Sequence, residues 1–292
     1  MGKRVFGVWW STNALDRDGL VRLAEQVERA GYDSLWFGES ASYEALALGG
    51  FLLGRTSRIR VSTGIANIYA RDALAAAAGH DTLNRLYGGR FMLGLGVSHA
   101  PLVEGRRKHA YLAPIPTMRA YLEAMAAAPI EPVLKIADRQ VVLAALGPKM
   151  LGLARDLTRG AHPYNVTPAH TAEARKILGP KAYLAVEQKI CFTTDASAAR
   201  ATATKHMKRY FALPNYCNNW RRLGFTDADF TGDGSSRLLD AMVVWGKEAD
   251  IRKVIEAHYA AGADEVCIQP VSPPGGAAPD AKALAAFAPG GG

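Results

Sequence analysis

Short apolar runs alternate with amphipathic stretches along the whole chain. Segments 4–10 (RVFGVWW), 33–38 (DSLWFG), 59–67 (IRVSTGIAN) and 90–97 (RFMLGLGV) read as strands that are apolar on both faces. Between them, 16–31 carries Leu20, Leu23, Ala24, Val27 and Ala30 at helical spacing and closes on Gly31. Segment 43–53 is helical, and the alanine-rich segment 72–87 starts at Asp72 and stops at Gly88-Gly89. The second half repeats the theme. Strands are predicted at 140–146, 161–165, 183–192 and 264–270, and helices at 117–127, 148–158, 168–178, 196–211 and 247–261.

Eight strands alternating with helices imply a parallel sheet. In a chain of 292 residues they predict one α/β domain, residues 1–292, folded as a closed (β/α)8 TIM barrel. A doubly wound open sheet is the alternative. Two segments exceed a minimal barrel: a long loop at 98–116, and an insertion before the last strand at 213–236, both read as structureless. Four aromatics in the insertion, Tyr216, Trp220, Phe225 and Phe230, need a surface to cover, so a lid is expected there. The Pro/Gly/Ala-rich end, 273–292, is expected to be a flexible tail, with 280–287 as a remnant of the last helix.

Charge and composition then narrow the function. Thirty-five Lys and Arg against 27 Asp and Glu leave a net charge of +8. The basic residues come as scattered pairs such as Arg58/Arg60 and Arg221/Arg222 and never as a long run, so no nucleic-acid partner is expected. The amino terminus lacks the features of a signal peptide, and no run approaches the length of a membrane span. Three scattered cysteines suit reduced thiols and a cytoplasmic location.

The carboxyl ends of barrel strands carry the chemistry in this architecture. That selects Glu39 and Ser40, Asn67, Ser98 and His99, Ala145 to Gly147, His162 and Tyr164, and Glu187 and Gln188. His99 is the candidate acid/base, because imidazole transfers protons near neutral pH. Glu39 follows Leu35-Trp36-Phe37 and must find donors for a buried carboxylate. Gly94-Leu95-Gly96 does not open a dinucleotide fingerprint, since the third glycine position is His99 and Pro101 follows. No metal-ligand spacing and no nucleophile elbow is present. A rim of hydrogen-bonding groups without metal, triad or phosphate loop suits an enzyme whose organic cofactor does the hard step.

The segments LAEQVERAGYDSLWFGES, STGIANIYARDALAAAA and GGRFMLGLGVSHAPLVE resemble the luciferase-like monooxygenase superfamily. SHAPLVE and LPNYCNNWRRLGFTDADF are most similar to its branch of deazaflavin (coenzyme F420)-dependent oxidoreductases. The resemblance covers residues 5 to about 271. It implies a (β/α)8 barrel binding F420, with FMN as the alternative cofactor, and hydride transfer to or from a small organic substrate. An FMN-dependent monooxygenase and a non-catalytic cofactor-binding protein are the alternative functions, and a homodimer is left open. The resemblance further implies a bulge at Gly64-Ile65, often a cis peptide, that backs the cofactor ring. It implies ring or cofactor contacts from Asn67 and Glu39, backbone contacts from Val97 and Ser98, and phosphate contacts from Leu146, Gly147 and Lys149. The acid/base histidine and glutamate of the family's sugar-phosphate dehydrogenases are replaced here by Ser40 and His99, and Tyr164 and Thr167 stand where their phosphate-holding residues begin. That reaction is therefore not implied, and the positive charge is assigned to the anionic tail of the coenzyme.

Overall fold

The computed structural model describes residues 4–40, 42–273 and 276–289. Its strands are β1 (Val5–Trp10), β2 (Ser34–Phe37), β3 (Arg60–Thr63), β4 (Ala66–Asn67), β5 (Phe91–Gly96), β6 (Val141–Leu143), β7 (Gly160–Ala161), β8 (Tyr183–Cys191), β9 (Val243–Trp245) and β10 (Glu265–Val271). The order is β10-β1-β2-β3-β5-β6-β7-β8, all parallel, and β10 also pairs with β8 through Glu265↔Ala185 to Val271↔Cys191. The sheet therefore closes on itself as a (β/α)8 TIM barrel. β4 continues the third barrel strand, and β9 is an additional strand on residues 189–191 of β8.

The helices begin where their sequences place a capping oxygen. Asp16, Asp72, Asp195 and Ser235 each accept a hydrogen bond from a first-turn amide. Apolar helix faces and outward strand faces make the large core between the two layers. Inside the barrel a second cluster forms from alternate strand residues: Trp9, Trp36, Met92, Val142, Ala185 and Cys267. The amino-terminal end below it is closed by a polar plug. Buried Glu265 accepts hydrogen bonds from Ser34, Arg60, Trp36 Nε1 (2.9 Å) and the Tyr183 hydroxyl (2.7 Å). Burial opposes its charge, but Arg60 and these donors hold the carboxyl below its usual range.

Three expectations need correction. The insertion 213–236 is helical, with Pro214–Arg222 an α-helix and Asp227–Phe230 a 3₁₀ turn; Tyr216, Trp220, Phe225 and Phe230 are buried. A helix, Ser236–Met242, and strand β9 follow it. The loop 98–116 contains the short helix Ala100–Val103, with Val103 fully buried. The tail is docked where it is described: Ala281–Ala286 is a helix, Phe287 is buried against Phe192, and the Leu284 carbonyl accepts from Tyr32. Residues 274–275 and 290–292 of the expected tail lie outside the described residues. In each case apolar side chains, aromatic, leucine or Val103, supplied burial that a reading of local composition undervalues.

Candidate functional site at the barrel mouth

The third barrel strand carries the irregularity around which the site is built. Ser62 pairs with Met92 and Ala66 with Leu95, so three residues on one side (63–65) face two on the other (93–94). This is a bulge, and its Gly64–Ile65 peptide bond is cis. Thr63 Oγ1 donates to the Gly94 carbonyl (2.8 Å) and accepts from the Gly94 amide (2.9 Å), replacing the interrupted ladder. The Gly64 amide donates to the Phe37 carbonyl, and its own carbonyl accepts from Trp9 Nε1 at 3.0 Å. A Cβ at Gly94 would lie 2.0 Å from the Thr63 carbonyl oxygen, and one at Gly96 2.6 Å from Ile65 Cδ1. The two glycines of GLG thus exist to let β5 approach the bulge.

Glu39, at the exit of β2, binds this irregular strand. Its carboxylate accepts from the Asn67 amide (2.7 Å), the Ala45 amide (3.1 Å) and Arg71. Its side chain and that of Arg71 are only 2% and 7% exposed, so the pair is locked. Asn67 Oδ1 accepts from the Tyr69 amide at 2.9 Å, which leaves Nδ2 as a buried donor with no partner. Across the mouth, His162 stacks on Trp36 (4.2 Å between centroids), and its Nδ1 faces the Ala185 carbonyl at 3.1 Å. Burial pushes its pKa down to about 4, so the ring is neutral and Nε2 is a buried acceptor without a partner. A Cβ at Gly64 would lie 2.8 Å from that nitrogen. An unsatisfied donor and an unsatisfied acceptor therefore flank the cis peptide, and buried polar groups of this kind require a partner. A heterocycle edged with carbonyl and N–H groups satisfies both, so the residues fit a flavin-type or deazaflavin ring.

The other predicted residues occupy the same rim in different states. Ser98 has φ +58°, and its carbonyl accepts from the Tyr111 hydroxyl at 3.3 Å. His99 precedes the short helix without capping it, and its ring lies 5.8 Å from that of Tyr216. Burial and the nearby Arg209 lower its pKa. The Leu146 carbonyl faces His170 Nε2 (2.9 Å) and Arg222 (3.4 Å), and Gly147 precedes the helix Pro148–Leu157 without a side-chain cap. Val97 is half-buried, packed against the core. Ser40 and Lys149 enter no hydrogen bond or ion pair among the described residues, and none links Ser40 to His99. Glu187 and Gln188 are not at a strand end, because β8 runs on to Cys191.

Sequence reasoning missed Trp9, Arg71, Lys189 and the Arg209–Tyr210 turn. Lys189 Nζ lies 3.1 Å from Glu187 Oε1, donates to Asn165 Oδ1 and sits 3.8 Å from the centre of the Tyr164 ring. The Tyr210 hydroxyl donates to that of Tyr164 (3.2 Å), which donates to Gln269 Oε1 (2.9 Å). The signal for Lys189 was present: Glu187-Gln188-Lys189 interrupts the apolar strand YLAVEQKIC, and alternation puts residues 187 and 189 on one face.

The sequence of this barrel, compared with known families, matches luciferase-like monooxygenase over residues 5–265. The chain belongs to that family. Over 211 residues it is 26% identical to 5,10-methylenetetrahydromethanopterin reductase of Methanolobus tindarius, covering 62% of this chain and 63% of that one. The curated relatives it matches are covered over less than two thirds of their own length. A solved F420-dependent secondary alcohol dehydrogenase, in complex with an F420-acetone adduct, superposes with a TM-score of 0.77 at 16% identity, covering 98% and 97% of the two chains. The oxygenating constituent of 3,6-diketocamphane monooxygenase from Pseudomonas putida, in complex with FMN, gives 0.65 at 13%, covering 91% and 92%. Within this luciferase-like barrel, no helix among the described residues is long and apolar enough to cross a membrane. Its three cysteines are buried and unpaired.

Proposed function

We propose that this luciferase-like protein is a deazaflavin (coenzyme F420)-dependent oxidoreductase that transfers a hydride between the coenzyme and a small organic substrate. The observation that carries the reading is the pair of buried, unpartnered groups, Asn67 Nδ2 and His162 Nε2, beside the cis Gly64–Ile65 bulge. Both suit the polar edge of a deazaflavin ring backed by Gly64 and Ile65. Bound there, the ring supplies hydride-transfer chemistry at a position the protein fixes. Glu39 does not reach the ring in this reading; through the Asn67 amide it sets the position of the Asn67 side chain. Val97 and Ser98 offer backbone contacts. Leu146, Gly147 and Lys149 at the start of the helix Pro148–Leu157 offer amides and a cation to the phosphate.

His99 is the proposed acid/base. Its lowered pKa keeps the imidazole neutral near pH 7, ready to take a proton from a substrate hydroxyl as hydride leaves the carbon. Ser40, on the neighbouring rim, is proposed as a hydrogen-bonding partner of the substrate. The solved F420-dependent alcohol dehydrogenase of the same fold and the segments SHAPLVE and LPNYCNNWRRLGFTDADF support the deazaflavin over FMN.

Parallel titrations test the reading. Purified protein titrated with F420 and, separately, with FMN is followed by quenching of tryptophan fluorescence, to which Trp9 and Trp36 contribute. Saturable quenching by F420 with none by FMN is expected. Binding of FMN alone moves the assignment to an FMN-dependent monooxygenase, and binding of neither removes it. Turnover unchanged in His99→Ala would leave only the cofactor-binding function.

A further inference from the structure

Half-buried arginines that frame this barrel are satisfied within the fold, by a carboxylate or, as at Arg90, by backbone carbonyls. Arg60 pairs with Glu265, Arg71 with Glu39, Arg139 with Asp81 and Arg175 with Asp264. Arg209 differs from these. It lies in the 3₁₀ turn Lys208–Tyr210 that ends the helix Ala196–Met207, and it has no carboxylate partner among the described residues. Its guanidinium sits 4.7 Å from the centre of the Tyr210 ring and spends one N–H on the Tyr210 hydroxyl at 2.6 Å. Of the five N–H donors of an arginine, the remainder are free to bind a ligand.

Arg209 is itself exposed, and it is its neighbours that place it at the reaction site. Tyr210 leads directly to the mouth: its hydroxyl bonds Tyr164, whose ring is 5.0 Å from that of Trp9, which in turn bonds the carbonyl of the cis peptide. Tyr216 bridges the two sides, 4.8 Å from Tyr210 and 5.8 Å from His99 between ring centroids. The one carboxylate nearby, Glu187, is already engaged by Lys189 and the Asn165 amide. The positive charge of Arg209 reaches His99, Lys189 and His206 and helps to lower the pKa of each. Arg209 thus offers the mouth a guanidinium without a carboxylate partner among the described residues, set against the ring of Tyr210.

We propose that Arg209 anchors a substrate carboxylate, so that the enzyme acts on an organic monocarboxylic acid whose body lies against Tyr210 and Tyr216. One planar fork matches one carboxylate in bidentate geometry. The inference rests on the reading of the mouth as the reaction site.

A calorimetric panel tests it without turnover. Benzoate, phenylacetate and hexanoate are each paired with the corresponding primary amide and titrated into wild-type protein with and without F420, and into Arg209→Gln and Arg209→Lys. At least one acid is expected to bind about 10- to 100-fold more tightly than its amide, the margin of a charge-assisted bidentate pair. Arg209→Gln is expected to abolish that preference and Arg209→Lys to keep part of it, while F420 affinity changes less than twofold. The proposal is overturned if no acid is preferred, if the preference survives Arg209→Gln, or if that variant weakens F420 as much as the acid. The last result would assign the guanidinium to the coenzyme's anionic tail. Should F420 fail to bind at all while the acid preference is lost in Arg209→Gln, the cofactor reading fails and the carboxylate site stands. Arg209→Lys preserves the test if Arg209→Gln does not fold.

Discussion

The Asn67 backbone amide donates to the Glu39 carboxylate at 2.7 Å, tying the exit of β2 to the strand segment that follows the cis bulge. The same carboxylate takes Arg71 and the Ala45 amide, so one buried side chain fixes two loops and the third barrel strand. Glu39→Ala leaves the Arg71 guanidinium almost fully buried with only the outer Glu44 as counterion. Removing one partner of a buried pair costs about 3 kcal/mol or more. Urea unfolding should show a loss of that size, with Glu39→Gln losing less because it keeps an acceptor for Asn67. A Glu39→Ala variant as stable as wild type would remove Glu39 from its positioning role.

Asn67 separates structure from binding. Its Oδ1 serves the fold through the Tyr69 amide, while Nδ2 serves nothing within the described residues. Asn67→Asp keeps the acceptor and deletes the donor. Its effect on cofactor affinity is expected to be at least one neutral hydrogen bond, about 1 kcal/mol or about fivefold in Kd. Fluorescence titration measures it.

The two glycines of GLG make opposite predictions on substitution. A Cβ at Gly94 would run into the backbone carbonyl of Thr63, which cannot move without opening the β3–β5 contact. Gly94→Ala should therefore abolish soluble folded protein or lower its stability by about 3 kcal/mol or more. A Cβ at Gly96 meets side chains only, Ile65 Cδ1 and Cγ1 at 2.6 Å and Ala144 Cβ at 3.4 Å. Gly96→Ala should fold, with Ile65 displaced and cofactor affinity reduced. Circular dichroism and the same titration distinguish the two, and equal behaviour would contradict the bulge as a packing device.

Much of this was legible before the coordinates, because barrel strands are apolar on both faces and their polar exits stand out. Glu39 and Asn67 could be read because each ends an apolar run, whereas the Gly64-Ile65 bulge was placed by the resemblance to the family. Lys189 could not be assigned a role, because what it does depends on Asn165 and Tyr164, which approach from the neighbouring strand exit. Arg209 and Tyr210 close a helix that looks like any other barrel helix, and only the closure of the barrel brings them to the mouth. The insertion does carry a helical signal, Tyr216 and Cys217 set four and three residues before Trp220, but the Asn and Arg residues around them mask it; Trp220 Nε1 meets the Asn165 carbonyl at 3.3 Å.

Buried neutral histidines make the fold sensitive to acid. Burial lowers His162 to about 4 and His258 to about 3, the latter held between Thr171 Oγ1 (2.8 Å) and Gln188 Oε1 (3.0 Å). In the unfolded chain each returns to about 6.5. Below that pH the unfolded state binds more protons, so stability falls with falling pH, by about 1.4 kcal/mol per pH unit for each group until its folded-state value is reached. Denaturation midpoints measured from pH 7 to pH 4 should decline steeply in wild type and less so in His258→Gln. Parallel slopes in the two proteins would show that His258 is not held neutral.

The Glu187–Lys189 pair is fully buried on the inner face of β8, and burial is the leading influence on both partners. It raises the carboxyl and pushes the lysine down to about 8, with Glu187 resisting the latter shift. Because the folded lysine binds its proton less tightly than the unfolded one, its desolvation cost is fully present below about pH 8. The cost is relieved as pH rises from there toward the unfolded value near 10.4, so stability from this group increases across that window. Lys189→Met should remove that alkaline rise and, at pH 7, destabilise the protein by about 3 kcal/mol, because Glu187 loses its counterion in the interior. Adding Glu187→Gln removes the stranded charge, so the double variant should recover most of the loss. A double-mutant cycle by urea unfolding at pH 7 and pH 9.5 measures both effects. If the two single losses simply add, the side chains are not coupled and the ion pair has no part in holding Tyr164 and Asn165 at the mouth.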